Sequence, residues 1–225
     1  MRFVLSFQRV LFSFLTIMLL FLTAPKQGMC STPPSPIGTV REIRNGILER
    51  QDNNLWKPIT AGMGISANDR VRTDASGVAV LSLNDIGFVL IGPGTEYYLG
   101  DPSRGFKTLL KRGYLWISAR ILPGRTMSVA TSNAVAGVRG TKFSMIQDAA
   151  GTDICTCKST VEVALKDGKT TNVGGGMYGA VDASGKMEPP QKGKHLLGKI
   201  WKEKPARYAA CLNCYKKGKK IGDLN

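Results

Sequence analysis

From Val40 to about Val181 apolar residues alternate with polar ones in short runs, and the runs are cut by Gly, Asp, Asn and Ser. "DRVRTD" leads through "DASG" into "VAVLSLN", followed by "FVLIGPGTEYYLG", "TLLKRGYLWISAR", "MSVATSN", "TKFSMIQD" and "TVEVALKDG". Period-two alternation between turn residues is the mark of short strands with one face buried. No helix-length amphipathic segment interrupts the series. The pattern predicts an all-β domain and argues against a doubly wound α/β architecture, with most of the cofactor sites such a fold carries.

Sliding the chain by 46 residues produces an internal echo. Val89 falls on Val135, Gly94-Thr95 on Gly140-Thr141, Tyr97 on Phe143, Leu99 on Met145, Leu115 on Val161 and Ile117 on Val163. A supersecondary unit used twice, with Gly-Thr at the same corner, is expected. The echo bears on "NAVAGVRGTKF" at 133–143, whose glycines invite a phosphate-loop reading. A P-loop needs G-x-x-x-x-G-K-[ST] between a strand and a helix, whereas this stretch runs into a strand. Its first copy, "GPGTEYYL", keeps the corner without the arginine. Gly94, Thr95, Gly137, Gly140 and Thr141 are therefore expected as turn residues, and Arg139 as an exposed or sheet-capping side chain.

The chain divides into residues 1–30, 31–39, 40–185 and 186–225. "MRFVLSFQRV" carries Arg2 and Arg9, and the run Val10–Leu22 is too short for a comfortable membrane span. A secretory signal peptide is expected, cleaved after Ala24 or nearer Cys30, with no membrane spanned afterwards. The residues before Cys30 suit lipid attachment poorly. "STPPSPIG" is a proline-rich spacer.

The formal charge of +15 is concentrated at the end: between Lys186 and Lys220 eleven Lys and Arg face Glu188 and Glu203, a local net of +9. On an exported protein such a tail is expected to be solvated, or to face anionic lipid headgroups, acidic glycans or an acidic envelope protein, and not nucleic acid. Leu196, Leu197, Ile200 and Trp201 stand at helical spacing in "HLLGKIWKEKP". A short helix is expected there, broken at Pro205, and a second could carry Tyr208, Cys211, Leu212 and Tyr215 on one face.

The run "DRVRTDASGVAVL…GYLWIS…NAVAGVRGTKF" closely resembles the FecR domain of bacterial envelope proteins, over about Val40 to Leu165. The resemblance implies a periplasmic all-β module, a twisted β-helix or solenoid-like stack of short strands. In founding members of that family the module follows a cytoplasmic anti-sigma segment and one membrane helix, and it relays receptor occupancy. Here nine residues precede the apolar run, so a stand-alone periplasmic or secreted protein without the anti-sigma segment is expected.

An oxidising compartment changes the meaning of the cysteines. If Cys30 is removed, Cys155, Cys157, Cys211 and Cys214 remain. On a continuous strand Cys155, Cys157, Ser159, Val161, Val163 and Leu165 share one face, and a turn at Lys158–Thr160 would reset that phase. Two disulfides clamping the tail to the β domain are the first expectation. A four-thiolate zinc site and redox chemistry at "CLNC" are the alternatives. Tyr215 stands where C-x-x-C-H would place the haem ligand, which argues against haem attachment.

With one histidine, His195, the chain lacks the inventory for a histidine triad or a multi-histidine metal centre. Trp56, Tyr98 and Trp116 are candidates for an exposed aromatic strip. The sequence thus predicts a non-enzymatic cell-envelope binding, assembly or interaction module with no cofactor, its oligomeric state open. The alternatives are a metal or redox protein built on the four cysteines, and a periplasmic sensor component of a signalling system.

Overall fold

A computed structural model describes residues 35–120 and 125–192. The expected signal peptide, most of the spacer, Cys30, and the tail with His195, Cys211 and Cys214 lie outside them.

The described chain is almost entirely strand: β1 (Gly38–Arg44), β2 (Leu48–Asp52), β3 (Leu55–Ile59), β4 (Gly64–Ile65), β5 (Arg70–Thr73), β6 (Val78–Leu83), β7 (Gly87–Ile91), β8 (Glu96–Tyr98), β9 (Phe106–Ala119), β10 (Met127–Ala130), β11 (Ala134–Val138), β12 (Lys142–Asp148), β13 (Gly151–Lys158), β14 (Thr160–Leu165), β15 (Thr170–Gly174), β16 (Met177–Asp182) and β17 (Gln191–Lys192). One 3-10 turn, Pro102–Arg104, is capped by the Asp101 side chain. Two ladders run through the domain. The first is β4-β1-β6-β7-β9-β12-β13-β16-β17 and the second β3-β2-β5-β8-β9-β10-β11-β14-β15. The fourteen-residue β9 belongs to both, pairing with β8 and β10 through its first half and with β7 and β12 through its second.

The passage occurs at Gly113, whose φ of +95° is open to glycine and strained for other residues. A Cβ there would also strike the backbone of Thr95, so the bend and the close approach select the same residue.

Inward side chains of the two ladders interlock in one core. Leu81, Val89, Leu115, Phe143 and Met145 come from the first ladder, and Leu48, Val71, Tyr97, Leu110, Val161 and Val163 from the second; all are fully or almost fully buried. The all-β expectation holds, with a different stacking from parallel coils. Every pairing among the described strands is antiparallel except β9 with β10. Hairpins laid side by side between two layers, with open edges, replace the expected solenoid-like stack.

The echo is real in conformation and different in placement. Gly94 and Gly140 both adopt left-handed φ, +62° and +63°. The residues that follow match in burial: Tyr97 with Phe143, Leu99 with Met145, Leu115 with Val161, Ile117 with Val163. Yet the first corner passes from the first ladder to the second, and the second corner passes back. The match fails before the corner, where Val89 is buried and Val135 is 41% exposed.

Candidate interaction surfaces

The Gly-Thr corners spend their polar groups on the fold. Thr95 Oγ1 accepts a hydrogen bond from the Tyr114 amide at 2.9 Å, and the Thr95 amide donates to Thr73 Oγ1 at 3.0 Å. In the second corner the buried Thr141 hydroxyl donates to the Lys158 carbonyl. Asn133, which opens the "NAVAGVRGTKF" stretch, is buried between the layers and donates from Nδ2 to the Val181 carbonyl at 3.1 Å. No helix follows the stretch, so the phosphate-loop geometry is absent. Gly137 corrects the turn expectation: it sits inside β11 with no positive φ, and a Cβ would meet only Glu162, its carbonyl at 3.6 Å. It floors a groove of about 570 Å³ that Lys107, Arg139, Glu162 and Asn172 line, with Arg139 exposed as expected.

The cysteine phase resets at the turn. Ser159, with φ of +67°, separates β13 from β14. Before it Ile154 and Thr156 point into the core; after it Val161 and Val163 do. Cys155 therefore lies on the outer face of the first ladder, opposite Ser144 and Tyr178, away from the side that Val161 and Val163 occupy. It is 2% exposed and carries a free thiol, which corrects the expectation of a disulfide at this position; Cys157 carries no free thiol. Cys157 falls where the register skips between Phe143↔Thr156 and Lys142↔Lys158, a β-bulge. Among the described residues no group of three or more His, Cys, Asp and Glu is placed to hold a metal ion.

The three aromatics do not form one strip. Trp56 and Tyr98 lie on the outer face of the second ladder, with Gln51 and Arg70 between them, joined at 3.0 Å. The Arg72 guanidinium stacks 4.4 Å above the Trp56 ring and pairs with Glu49 at 2.6 Å. Tyr98 donates to Asn68 at 3.1 Å. Trp116 is on the other ladder, half-buried among Val80, Leu90 and Tyr114. Around β5 and β8 on the second ladder one carboxylate serves three cations: Glu96 meets Arg70, Lys111 and Arg112 within 3.4, 3.1 and 3.8 Å.

The first ladder ends in the opposite electrostatic situation. Lys142 on β12 and Lys158 on β13 are direct cross-strand partners, both exposed. With Arg120, which follows β9, they line a cleft of about 500 Å³ whose described lining contains no carboxylate. Phe88 floors the cleft, and the Arg41 guanidinium sits 4.9 Å from its ring centre. Like charges directly opposed across strands destabilise a sheet, by roughly 0.2–1 kcal/mol for a pair of this kind. Sequence reasoning missed this cluster, since its members lie 16 to 38 positions apart in "SAR", "GTKF" and "TCKST" and only register brings them together.

Residues 69–172 match the family model described as FecR protein, a stretch that runs from the start of β5 into β15 and includes all three cleft cations. Two crystal structures described as a "putative anti-sigma factor from Parabacteroides distasonis ATCC 8503", at 2.50 and 1.65 Å, share the fold with a TM-score of 0.51 each. Identity is 16% in both; the alignments cover 60% of this chain and 64% and 65% of theirs, so this chain spans a little under two thirds of each. No curated protein matches the chain. No helix among the described residues is long and apolar enough to cross a membrane.

Proposed function

We propose that this protein is a non-catalytic FecR-type β module of the cell envelope that binds an acidic partner segment through the Arg120, Lys142 and Lys158 cleft. One observation carries the reading. Two lysines directly opposed in register, with an arginine beside them and no carboxylate in the described lining, keep a repulsion that an anionic partner would relieve. Arg70 and Arg72 on the outer face of the second ladder are, by contrast, paired with Glu96 and Glu49.

The metal or redox alternative would need Cys211 and Cys214, which lie outside the described residues; of the described cysteines, Cys155 is buried with a free thiol. The family match and the description of the fold neighbours favour a second reading, in which the acidic partner belongs to an envelope signalling system.

The test is titration of the full-length protein with polyglutamate at low ionic strength, beside neutral dextran and vesicles with anionic headgroups. Binding to polyglutamate that weakens about tenfold in R120Q/K142Q, and falls steeply with added salt, supports the proposal. Equal affinity in wild type and variant would remove the cleft from the function.

A further inference from the structure

The fold gives Gly137 no reason to be glycine. It lies inside β11, between β10 and β14, and its pairings with both strands run without a register shift. Its φ is not positive, and an added Cβ would meet only Glu162, at 3.6 Å from the carbonyl oxygen. Glycine inside a strand loses more backbone entropy on folding than other residues and packs nothing. Where neither a bulge nor a bend calls for it, it marks a place where another molecule comes close to the backbone.

The space left open is the groove of about 570 Å³ on the outer face of the second ladder, within the size range of pockets that hold small organic ligands. One cross-strand row crosses it: Lys107 faces Ser128, Ser128 faces Gly137, Gly137 faces Glu162 and Glu162 faces Asn172. Long side chains thus stand at both ends of the row and the two smallest residues in its middle. Arg139, two residues beyond Gly137, lines the same groove and is exposed. Among the described residues Lys107, Arg139, Glu162 and Asn172 enter no ion pair and no side-chain hydrogen bond. Glu96 on the same ladder, by contrast, meets three cations. The next outward row is aliphatic: Leu109, Ala130, Val135 and Ala164 follow one another across the strands, with Leu109 39% and Val135 41% exposed.

We propose that this groove binds a short zwitterionic peptide, its carboxylate between Lys107 and Arg139 and its ammonium at Glu162. Two cations and one carboxylate around a single cavity match a ligand with opposite charges at separated ends. A purely anionic ligand meets Glu162, and a purely cationic one meets Lys107 and Arg139. The Asn172 amide and the Ser128 hydroxyl supply both donors and acceptors, as a peptide group requires. Leu109 and Val135 offer an aliphatic shelf for a side chain, whereas Trp56 and Tyr98, the rings a sugar face would stack on, do not line the groove. The site lies on the second ladder, apart from the Arg120, Lys142 and Lys158 cleft, and does not depend on the acidic-partner reading.

Calorimetric titration of the full-length protein with the tripeptide alanyl-leucyl-alanine tests it. Saturable binding is expected, weakened about tenfold when the peptide carboxylate is amidated and about tenfold when its amine is acetylated. G137V should bind at least about tenfold more weakly while unfolding at no lower temperature than wild type, because valine suits a strand and its side chain fills the groove. R139Q, a change at an exposed residue, should weaken the free peptide about tenfold and leave the amidated peptide unaffected, which keeps the test decisive if G137V folds poorly. R120Q/K142Q should bind the tripeptide as wild type does. Equal affinity for free and blocked peptides, unchanged binding in G137V and R139Q, no saturation below about 10 mM, or saturation by an N-acetylglucosamine trimer in place of the peptide would overturn the proposal.

Discussion

A Cβ placed on Gly113 would collide with Thr95 Oγ1 and lie 2.5 Å from Thr95 Cα. This contact joins the first Gly-Thr corner to the bend of β9, the strand that couples the two ladders. G113A forces apart two backbones at a positive φ, and a loss of about 2–4 kcal/mol in chemical denaturation is expected. G137A is the control. Its Cβ meets only ordinary contacts in an extended strand, so stability within about 0.5 kcal/mol of wild type is expected.

The two corner threonines should behave alike despite lying in opposite ladders. Each hydroxyl is buried and bonds a backbone group of another strand, Tyr114 for Thr95 and Lys158 for Thr141. T95V and T141V keep shape and remove the partner, which predicts a loss of about 1–3 kcal/mol for each by urea unfolding. A neutral T141V would show that the second corner is held by glycine conformation alone.

Alkaline pH should act through Tyr97. Burial pushes its phenol well above the ordinary value, so the folded protein holds the proton after the unfolded chain has released it. The stability is fully present below the unfolded pKa of about 10 and is lost as pH rises above it, at up to about 1.4 kcal/mol per pH unit. Urea midpoints of wild type and Y97F measured from pH 8 to 11 should diverge in slope only above about pH 10. Parallel curves throughout would mean that Tyr97 ionises freely.

The strands and the buried face of most of them were legible because alternation records half-burial directly: Leu81, Leu83, Val89 and Ile91 fall inward as the pattern requires. The Gly-Thr echo was legible because left-handed φ selects glycine in both copies. Layer assignment was not, since nothing local tells β8 that its corner crosses outward while β12 crosses back. Gly137 misled as a turn because glycine in a strand and glycine in a corner look alike in sequence. The side of Cys155 depended on one residue, Ser159, whose left-handed conformation reversed the phase. The Lys142–Lys158 pair depended on register across a bulge, which periodicity alone does not encode.

The most direct test of the cationic cleft is K158E, measured for stability and binding together. Replacing one lysine of the opposed pair with a carboxylate turns the cross-strand repulsion on Lys142 into an attraction, so thermal unfolding should shift upward, by the equivalent of about 0.5–1 kcal/mol. Polyglutamate binding should fall about tenfold or more in the same protein. A variant that is more stable and binds less is the predicted result; one that binds acidic polymer as tightly as wild type would contradict the account.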